Sequence, residues 1–371
     1  MKLLKQDHKG EVMKEIQTNT DSMQLAKIVA PILVWYDKNK RVLPWRDSPT
    51  AYRVWVSEIM LQQTRVEAVK AYFERFMLEL PTIESLAQAD EEKLLKLWEG
   101  LGYYNRVRNL QKAAQIVMND YAGKFPETFE KILLLPGIGE YTAGAISSIV
   151  FHKPVPAVDG NVMRVVTRLT ENYGDITTSA VKRQITEELR LVYPLAKSRC
   201  GDLTQSLMEL GATVCIPNGA PKCLECPLSD DCRSYQNSTQ TELPVKTKKK
   251  PRKKEEKTVF ILLFEDKVAV KKREESGLLQ GLWEFPNGEG KLTTKQINEQ
   301  LQVFGLSASK ITKGIVTKHI FTHVEWHMMS CLVSCENDND SFLWVTKNEL
   351  ENEVALPTAF KKFSDMIIVS E

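Results

Sequence analysis

The stretch "LPGIGEYTAGAIS", Leu135 to Ser147, sets a proline and two spaced glycines between apolar runs of helical character. Pro136 ends one helix, because proline lacks the amide proton that a continuing helix needs. Gly137 and Gly139 allow backbone angles and a closeness of approach that a side chain would forbid. Thr142 and Ala143 begin another helix, whose first amides have no partners inside it. Glycine amides beside a helix start form a site for an anion, and a DNA phosphate is the natural candidate. A tight turn with no ligand is the simpler alternative. The proline and the flanking apolar runs favour the DNA reading, and Tyr141 then stands just inside the second helix.

This shape is a helix–hairpin–helix over about residues 130–147. Around it, the totals describe an ordinary folded protein. The 371 residues suffice for two domains, with 43% hydrophobic and 26% charged residues. A net charge of +2 does not announce nucleic acid, so such a partner needs a local basic face. No apolar run of about 18 residues exists to span a membrane. The polar start, "MKLLKQDHKGEVMKEIQTNTDS", points to the cytoplasm, with the nucleoid as the place of work for a DNA-binding chain.

From about Leu25 to Leu210 the pattern is helical almost throughout. Val56, Met60, Gln63, Val66, Val69, Phe73 and Phe76 fall on one stripe with a single polar break. Residues 238–257, with "ELPVKTKKKPRKKEEK", carry charge and proline without hydrophobic periodicity and read as a linker. Beyond it, "TVFILLFEDKVAVKKR" predicts two strands around a Glu265-Asp266 turn. "HVEWHMMSCLVSC" adds a long strand, and "SFLWVTKNEL" a strand leading into a helix. The expected organisation is a polar extension (1–22), a helical domain (23–237), a basic linker (238–257) and an α+β domain (258–371).

Three further places carry candidate chemistry. Cys215, Cys223, Cys226 and Cys232 give C-x7-C-x2-C-x5-C, with no histidine. Four thiolates suit a [4Fe–4S] cluster or zinc, and the spacing alone does not choose between them. In "FHKPVPAVDGNVMRVVTRL", Asp159 stands at the expected N-cap of a helix starting near Val162. A carboxylate bonded by backbone amides is expected to keep a low pKa, as a group that stabilises a cation should. In "VWVSEIMLQQT", Glu58 lies in a largely apolar helix with Gln62 one turn onward. Burial there raises its pKa towards neutrality. One carboxyl group raised and another kept low is how acid and electrostatic roles divide in glycosidic bond cleavage.

Together, "LPWR", "VSEIMLQQTRV", "WEGLGYYNRVRNL", "LPGIGEYTAGAI", "AVDGNVMRV", "ELGA" and the four cysteines resemble the helix–hairpin–helix base-excision glycosylases, in the order of the adenine-specific family. The resemblance runs from about Leu43 to the C-terminus. It implies a mainly helical glycosylase domain with a cysteine-ligated [4Fe–4S] loop over 215–232, followed by a Nudix-like domain. The family usually has six residues between the first two cysteines, whereas "IPNGAPK" supplies seven.

The resemblance also implies roles. Glu58 would protonate adenine and then activate water. Asp159 would steady the oxocarbenium-like sugar, with Asn161 and Tyr141 placing the groups. Arg46, Gln63 and Gln205 match positions that hold the adenine, which must be flipped from the stack to be reached. Tyr103 matches a side chain wedged into the duplex, with Gln62 and Leu101 beside it. Related lyases of the endonuclease III type carry a lysine where Tyr141 stands, and a phenol cannot form a Schiff base.

The C-terminal part resembles a Nudix fold, but "FPNGEGKLTTKQINEQLQVFGL" does not supply the acidic box that binds magnesium, so no pyrophosphate hydrolysis is expected. In the family this domain reads 8-oxoguanine with a Phe-Ser-His loop; here the loop is Phe321-Thr322-His323. Threonine keeps the hydroxyl. The implied partner is duplex DNA carrying adenine opposite 8-oxoguanine or guanine, bound by a monomer away from any membrane.

Overall fold

The computed structural model describes residues 20–247, 251–274 and 276–369. The polar extension therefore lies almost wholly outside the described residues, as do residues 248–250 of the basic segment. The described residues divide into two compact units: 20–88 with 109–247, and 89–108 with the described residues from 251 to 369.

Helices make up the first unit, among them α1 (Ala51–Leu61), α2 (Phe129–Leu133), α3 (Glu140–Ile149), α4 (Gly160–Thr170) and α5 (Cys200–Thr213). Side chains at the helix starts supply missing partners: the Thr50, Thr128 and Asp159 side chains accept from amides three residues on. α4 buries Val162, Val165, Val166 and Leu169, which meet Leu203, Leu207 and Leu210 of α5 in one core. Each such side chain contributes about 1.5–3 kcal/mol on leaving water. Among the described residues no helix is long and apolar enough to cross a membrane.

The stripe from Val56 to Phe76 is not one helix. The chain breaks between Leu61 and the next helix (Val66–Glu79), with Gln63 in the left-handed region at φ 59°. Val56 and Met60 are buried before the break and Val69, Phe73 and Phe76 after it, so the hydrophobic spacing carries across the turn.

In the second unit, β1 (Lys253–Phe264), β2 (Lys267–Lys272), β3 (Trp283–Glu284), β4 (Asn287–Glu289), β5 (Ala308–Ile320), β6 (Val324–Cys335) and β7 (Leu343–Thr346) form one sheet. Its main order is β3-β2-β1-β6-β5, with β4 on β1 and β7 on β2. β1 and β2 turn at Glu265-Asp266, and β1 runs parallel to β6 with Phe260 opposite Cys331. Alternation fixes the layers. Val259 and Ile261 face one core with Trp326 and Phe363, while Phe260 and Leu262 face another with Ile297 and Leu301. Helix α6 (Thr294–Val303) covers the second face and α7 (Lys361–Val369) the first.

β1 starts at Lys253, inside the stretch read as linker. Residues Lys253–Lys257 pair their backbones with Val324–Met328. Their charge reports where the side chains point and says nothing about ladder hydrogen bonds, which any residue but proline can supply. Upstream, Arg168 donates to the Leu243 carbonyl and the Ile176 amide to the Val245 carbonyl, so this part of the stretch is also anchored.

Candidate active site

α1 carries Glu58 among buried Trp55, Val56, Ile59 and Met60, and Glu58 itself is only 5% exposed. At the head of α3, Tyr141 donates its phenol proton to Glu58 Oε2 at 2.6 Å. Burial raises the Glu58 pKa to about 7; the Tyr141 bond pulls it down, the Asp159 charge pushes it up and Arg46 pulls it down. The Tyr141 phenol is held well above its ordinary value by burial and by the two nearby carboxylates, so it stays a donor.

Asp159 caps α4 as expected. Its Oδ1 accepts from the Val162 amide at 2.7 Å and its Oδ2 from Asn161 Nδ2 at 2.7 Å. The expected low pKa is not found. Burial raises it, and the Val162 and Asn161 donors and the Arg164 charge recover only part of that cost. The site therefore holds two carboxyl groups that both resist ionisation, Glu58 having no backbone donor to relieve it.

Glu58, Tyr141, Asp159 and Asn161 line one cavity of about 640 Å³, and Arg46, Gln62, Gln63, Gln205 and Gly139 share its wall. That volume is within the usual range for small-molecule sites and exceeds a purine. Gly137 sits in the turn before α3 at φ 76°, where an added Cβ would stand 2.8 Å from Asn109 Cβ. Gly139 is the N-cap of α3, in extended conformation with open space where a Cβ would point.

Several residues at this site escaped the sequence reading. Arg164 donates to Asn161 Oδ1 at 2.8 Å, to the Gly211 carbonyl at 2.6 Å and to the Cys215 carbonyl at 2.8 Å, tying the Asp159 cap to α5. Gly211 leaves room for this; an added Cβ there would lie 2.7 Å from Asn161 Cβ. Met208 Sδ lies 3.9 Å from the Tyr141 hydroxyl. Glu209 and Arg41 also line the cavity. The "ELGA" stretch holds Glu209 in plain view, but nothing local marks a glutamate in an apolar helix as facing two arginines.

Cys215, Cys223, Cys226 and Cys232 line a second cavity with Arg168, and none of the four is in a disulfide. Among the described residues no three His, Cys, Asp or Glu side chains form a ready-made metal site. The donor chemistry is nonetheless uniform: four sulfurs line this cavity, and Cys215, Cys226 and Cys232 pack on the core shared by α4 and α5. Burial pushes the Cys226 thiol up to about 12 and raises Cys215 and Cys223. Arg168 Nη1 lies 3.2 Å from Cys215 Sγ and opposes that rise. Thiolate ligation here asks for more positive charge than Arg168 and Arg164 bring, which a metal centre would supply.

In the second unit, the "GLGYY" loop puts Tyr103 at φ 49° with 49% of the residue exposed. Arg106 braces the loop from beneath, donating to the Leu101 and Gly102 carbonyls at 2.9 and 3.0 Å. Leu101 is buried. The Tyr103 hydroxyl lies 2.8 Å from Thr322 Oγ1, so two residues 219 positions apart meet at one exposed point. The Phe321-Thr322-His323 turn is fixed by Arg252 Nε on the Phe321 carbonyl and the Lys253 amide on the His323 carbonyl, both at 3.0 Å.

A family model for HhH-GPD superfamily base excision DNA repair proteins matches residues 56–191, and a NUDIX domain model matches residues 258–366. An adenine DNA glycosylase of Buchnera aphidicola subsp. Schizaphis graminum is 33% identical over 345 residues, covering 90% of this chain and 97% of its own. The chain belongs to the adenine DNA glycosylase family. The human adenine DNA glycosylase is 33% identical over 421 residues, 94% of this chain and 76% of its own. Among solved structures, a thermostable thymine-DNA glycosylase matches with a TM-score of 0.52 and 28% identity, over 59% of this chain and 100% of its own. A trapped endonuclease III–DNA covalent intermediate matches at 0.50 and 22% identity, over 58% and 98%, a likeness of fold. The family is one of base-excision repair enzymes, and its helical and Nudix-like parts are the two folds described above.

Proposed function

We propose that this protein hydrolyses the N-glycosidic bond of adenine lying opposite 8-oxoguanine or guanine in duplex DNA and leaves the strand uncut. The observation that carries this reading is Glu58, buried, with a pKa of about 7, in one cavity with Asp159. A carboxyl group poised there is protonated often enough near neutrality to donate. With adenine flipped into the cavity, Glu58 protonates a ring nitrogen and the base leaves with the bonding electron pair. Asp159 then faces the positive sugar, whose charge favours the carboxylate that burial had opposed. Water adds to the anomeric carbon and returns a proton to Glu58, completing hydrolysis.

Asn161, itself held by Arg164, fixes the Asp159 oxygens. Arg46, Gln63 and Gln205 hold the base; arginine donates and the glutamines both donate and accept, as adenine's edges require. Tyr141 offers no amine, so no covalent link to the sugar leads to strand cleavage. Gly137 and Gly139 present amides to the backbone phosphates at the head of α3.

Thr322 and His323 read the opposite base, Tyr103 wedges into the duplex and Gln62 contacts the DNA. The hydroxyl contact between Tyr103 and Thr322 supports a shared point of action. Cys215, Cys223, Cys226 and Cys232 hold a [4Fe–4S] cluster, which braces the loop between α5 and the helix Arg233–Gln236 and leaves the hydrolysis to the carboxyl groups. An absorption band near about 400 nm, lost on chelation of iron, tests that assignment.

The deciding experiment incubates the protein with duplex containing adenine opposite 8-oxoguanine. Free adenine should appear, and the strand should break only after alkali. Strand breaks without alkali, or covalent trapping by borohydride at the level of a lysine enzyme, would refute the hydrolytic reading.

A further inference from the structure

The cavity holds a charged cluster that takes no part in this proton transfer. Glu209, on α5, has a side chain with 0% exposure. Its Oε1 accepts from the Arg41 amide at 3.3 Å and from Arg41 Nε; its Oε2 accepts from Arg41 Nη2 at 3.2 Å and Arg46 Nη2 at 2.8 Å. Arg46 is fixed a second time by Nη1 on the Arg41 carbonyl at 3.1 Å, and its guanidinium lies 5.7 Å from the Tyr36 ring centroid. Burial works to raise the Glu209 pKa, but the two arginines outweigh it and hold the carboxyl group ionised.

We propose that Glu209 is a positioning residue for base recognition: it locks Arg46 at the cavity wall and cancels part of its charge beside Glu58. This rests on the reading of Arg46 as an adenine contact and Glu58 as the acid. An arginine that reads a neutral purine has to hold one plane, and its long side chain loses rotamer freedom unless a rigid partner fixes it. The Glu209 carboxylate and the Arg41 carbonyl each take one Arg46 donor and leave the others for the base. Charge matters as much as orientation. Glu58 is faced by Tyr141 from α3, Asp159 from the head of α4 and Arg46 from the helix Pro44–Asp47; Glu140 and Lys182 line the same cavity. An Arg46 without its counter-charge would pull protons off the acid and draw phosphate in place of base.

The test uses the full chain with Glu209→Gln and two duplexes. One carries a non-hydrolysable 2′-fluoro adenosine opposite 8-oxoguanine, and the other an abasic analogue opposite 8-oxoguanine. Affinity for the adenine duplex should fall about tenfold, as for one lost charged hydrogen bond, while the abasic duplex binds as before. Equal loss on both duplexes, or no loss on either, overturns the proposal.

A second readout is the pH dependence of single-turnover base release, which falls as pH rises through the Glu58 pKa. Glu209→Gln should move that fall to lower pH by about half a unit. Arg41→Met, which leaves Glu209 wholly to Arg46, should move it the other way and also serves if Glu209→Gln does not fold. Glu209→Asp should restore part of both readouts. A fall that stays in place in both variants overturns the charge-cancelling role. The duplex comparison does not involve Glu58, so a parent enzyme without an alkaline fall would refute the acid assignment and leave Glu209 judged by binding. Likewise, Arg46→Met that binds adenine duplex normally would refute the Arg46 reading itself.

Discussion

Replacing Glu58 by glutamine removes a buried acid whose ionisation opposes folding, and the size of the effect follows from its surroundings. The carboxyl group moves from an ordinary 4.5 to about 7 because burial outweighs the Tyr141 bond and the Arg46 charge. The folded state therefore binds this proton more tightly than the unfolded state. Stability falls as pH rises from 4.5 through about 7 and stays at the lower level above it. At 1.36 kcal/mol per pKa unit, the ionised form carries a penalty of about 3 kcal/mol at pH 8. Glutamine fills nearly the same space and its carbonyl oxygen still accepts from Tyr141, so the variant sheds the penalty without opening a cavity. Urea unfolding of parent and variant between pH 5 and pH 8, followed by circular dichroism for the helical unit, measures the difference directly. The variant should match the parent near pH 5 and exceed it by about 3 kcal/mol at pH 8. A difference that does not grow with pH, or a variant less stable at pH 8, would refute the claim that Glu58 is raised by burial.

Tyr141→Phe removes the donor that favours ionised Glu58, a bond worth about 1.5–3 kcal/mol, so the alkaline fall in base release should move up by about one to two pH units. A fall that stays put or moves down contradicts this. Gly211→Ala pushes Asn161 off Asp159 and should slow single-turnover release about 10- to 100-fold while DNA affinity is kept. Parallel loss of affinity would mean that the helix itself had moved. Thr322→Ala should cut the preference for 8-oxoguanine over guanine duplexes about tenfold, one hydroxyl contact; equal loss on both would deny Thr322 a reading role.

Much of the catalytic cavity could be read from the sequence because its groups announce themselves locally. Asp159 follows two prolines and precedes a helix, and Glu58 is an acid inside an apolar run. The hairpin around Pro136 and the two strands about Glu265-Asp266 are likewise written in turn residues. What escaped depends on partners distant in the chain. Asp159 looked low in pKa because its capping amides are visible from sequence, whereas its burial comes from the fold as a whole. Glu209 finds Arg41 and Arg46 across more than 160 positions. The segment 89–108 clusters with the C-terminal residues through Glu92 with Lys272, Glu99 with the Leu356 amide and Arg108 with the Gln280 carbonyl. Its amphipathic pattern reveals that one face is covered, not by which neighbour. Gln63 and Tyr103 take left-handed backbone without being glycine, a conformation that only the surrounding packing imposes.

The most direct measurement gives parent and Glu58→Gln the same duplex, adenine opposite 8-oxoguanine, and follows binding and adenine release together at pH 7. The parent should release adenine, and the variant should bind the duplex with similar affinity yet release it about a thousandfold more slowly, the scale of a lost general acid. Release by Glu58→Gln at the parent's rate would show that the proton comes from elsewhere.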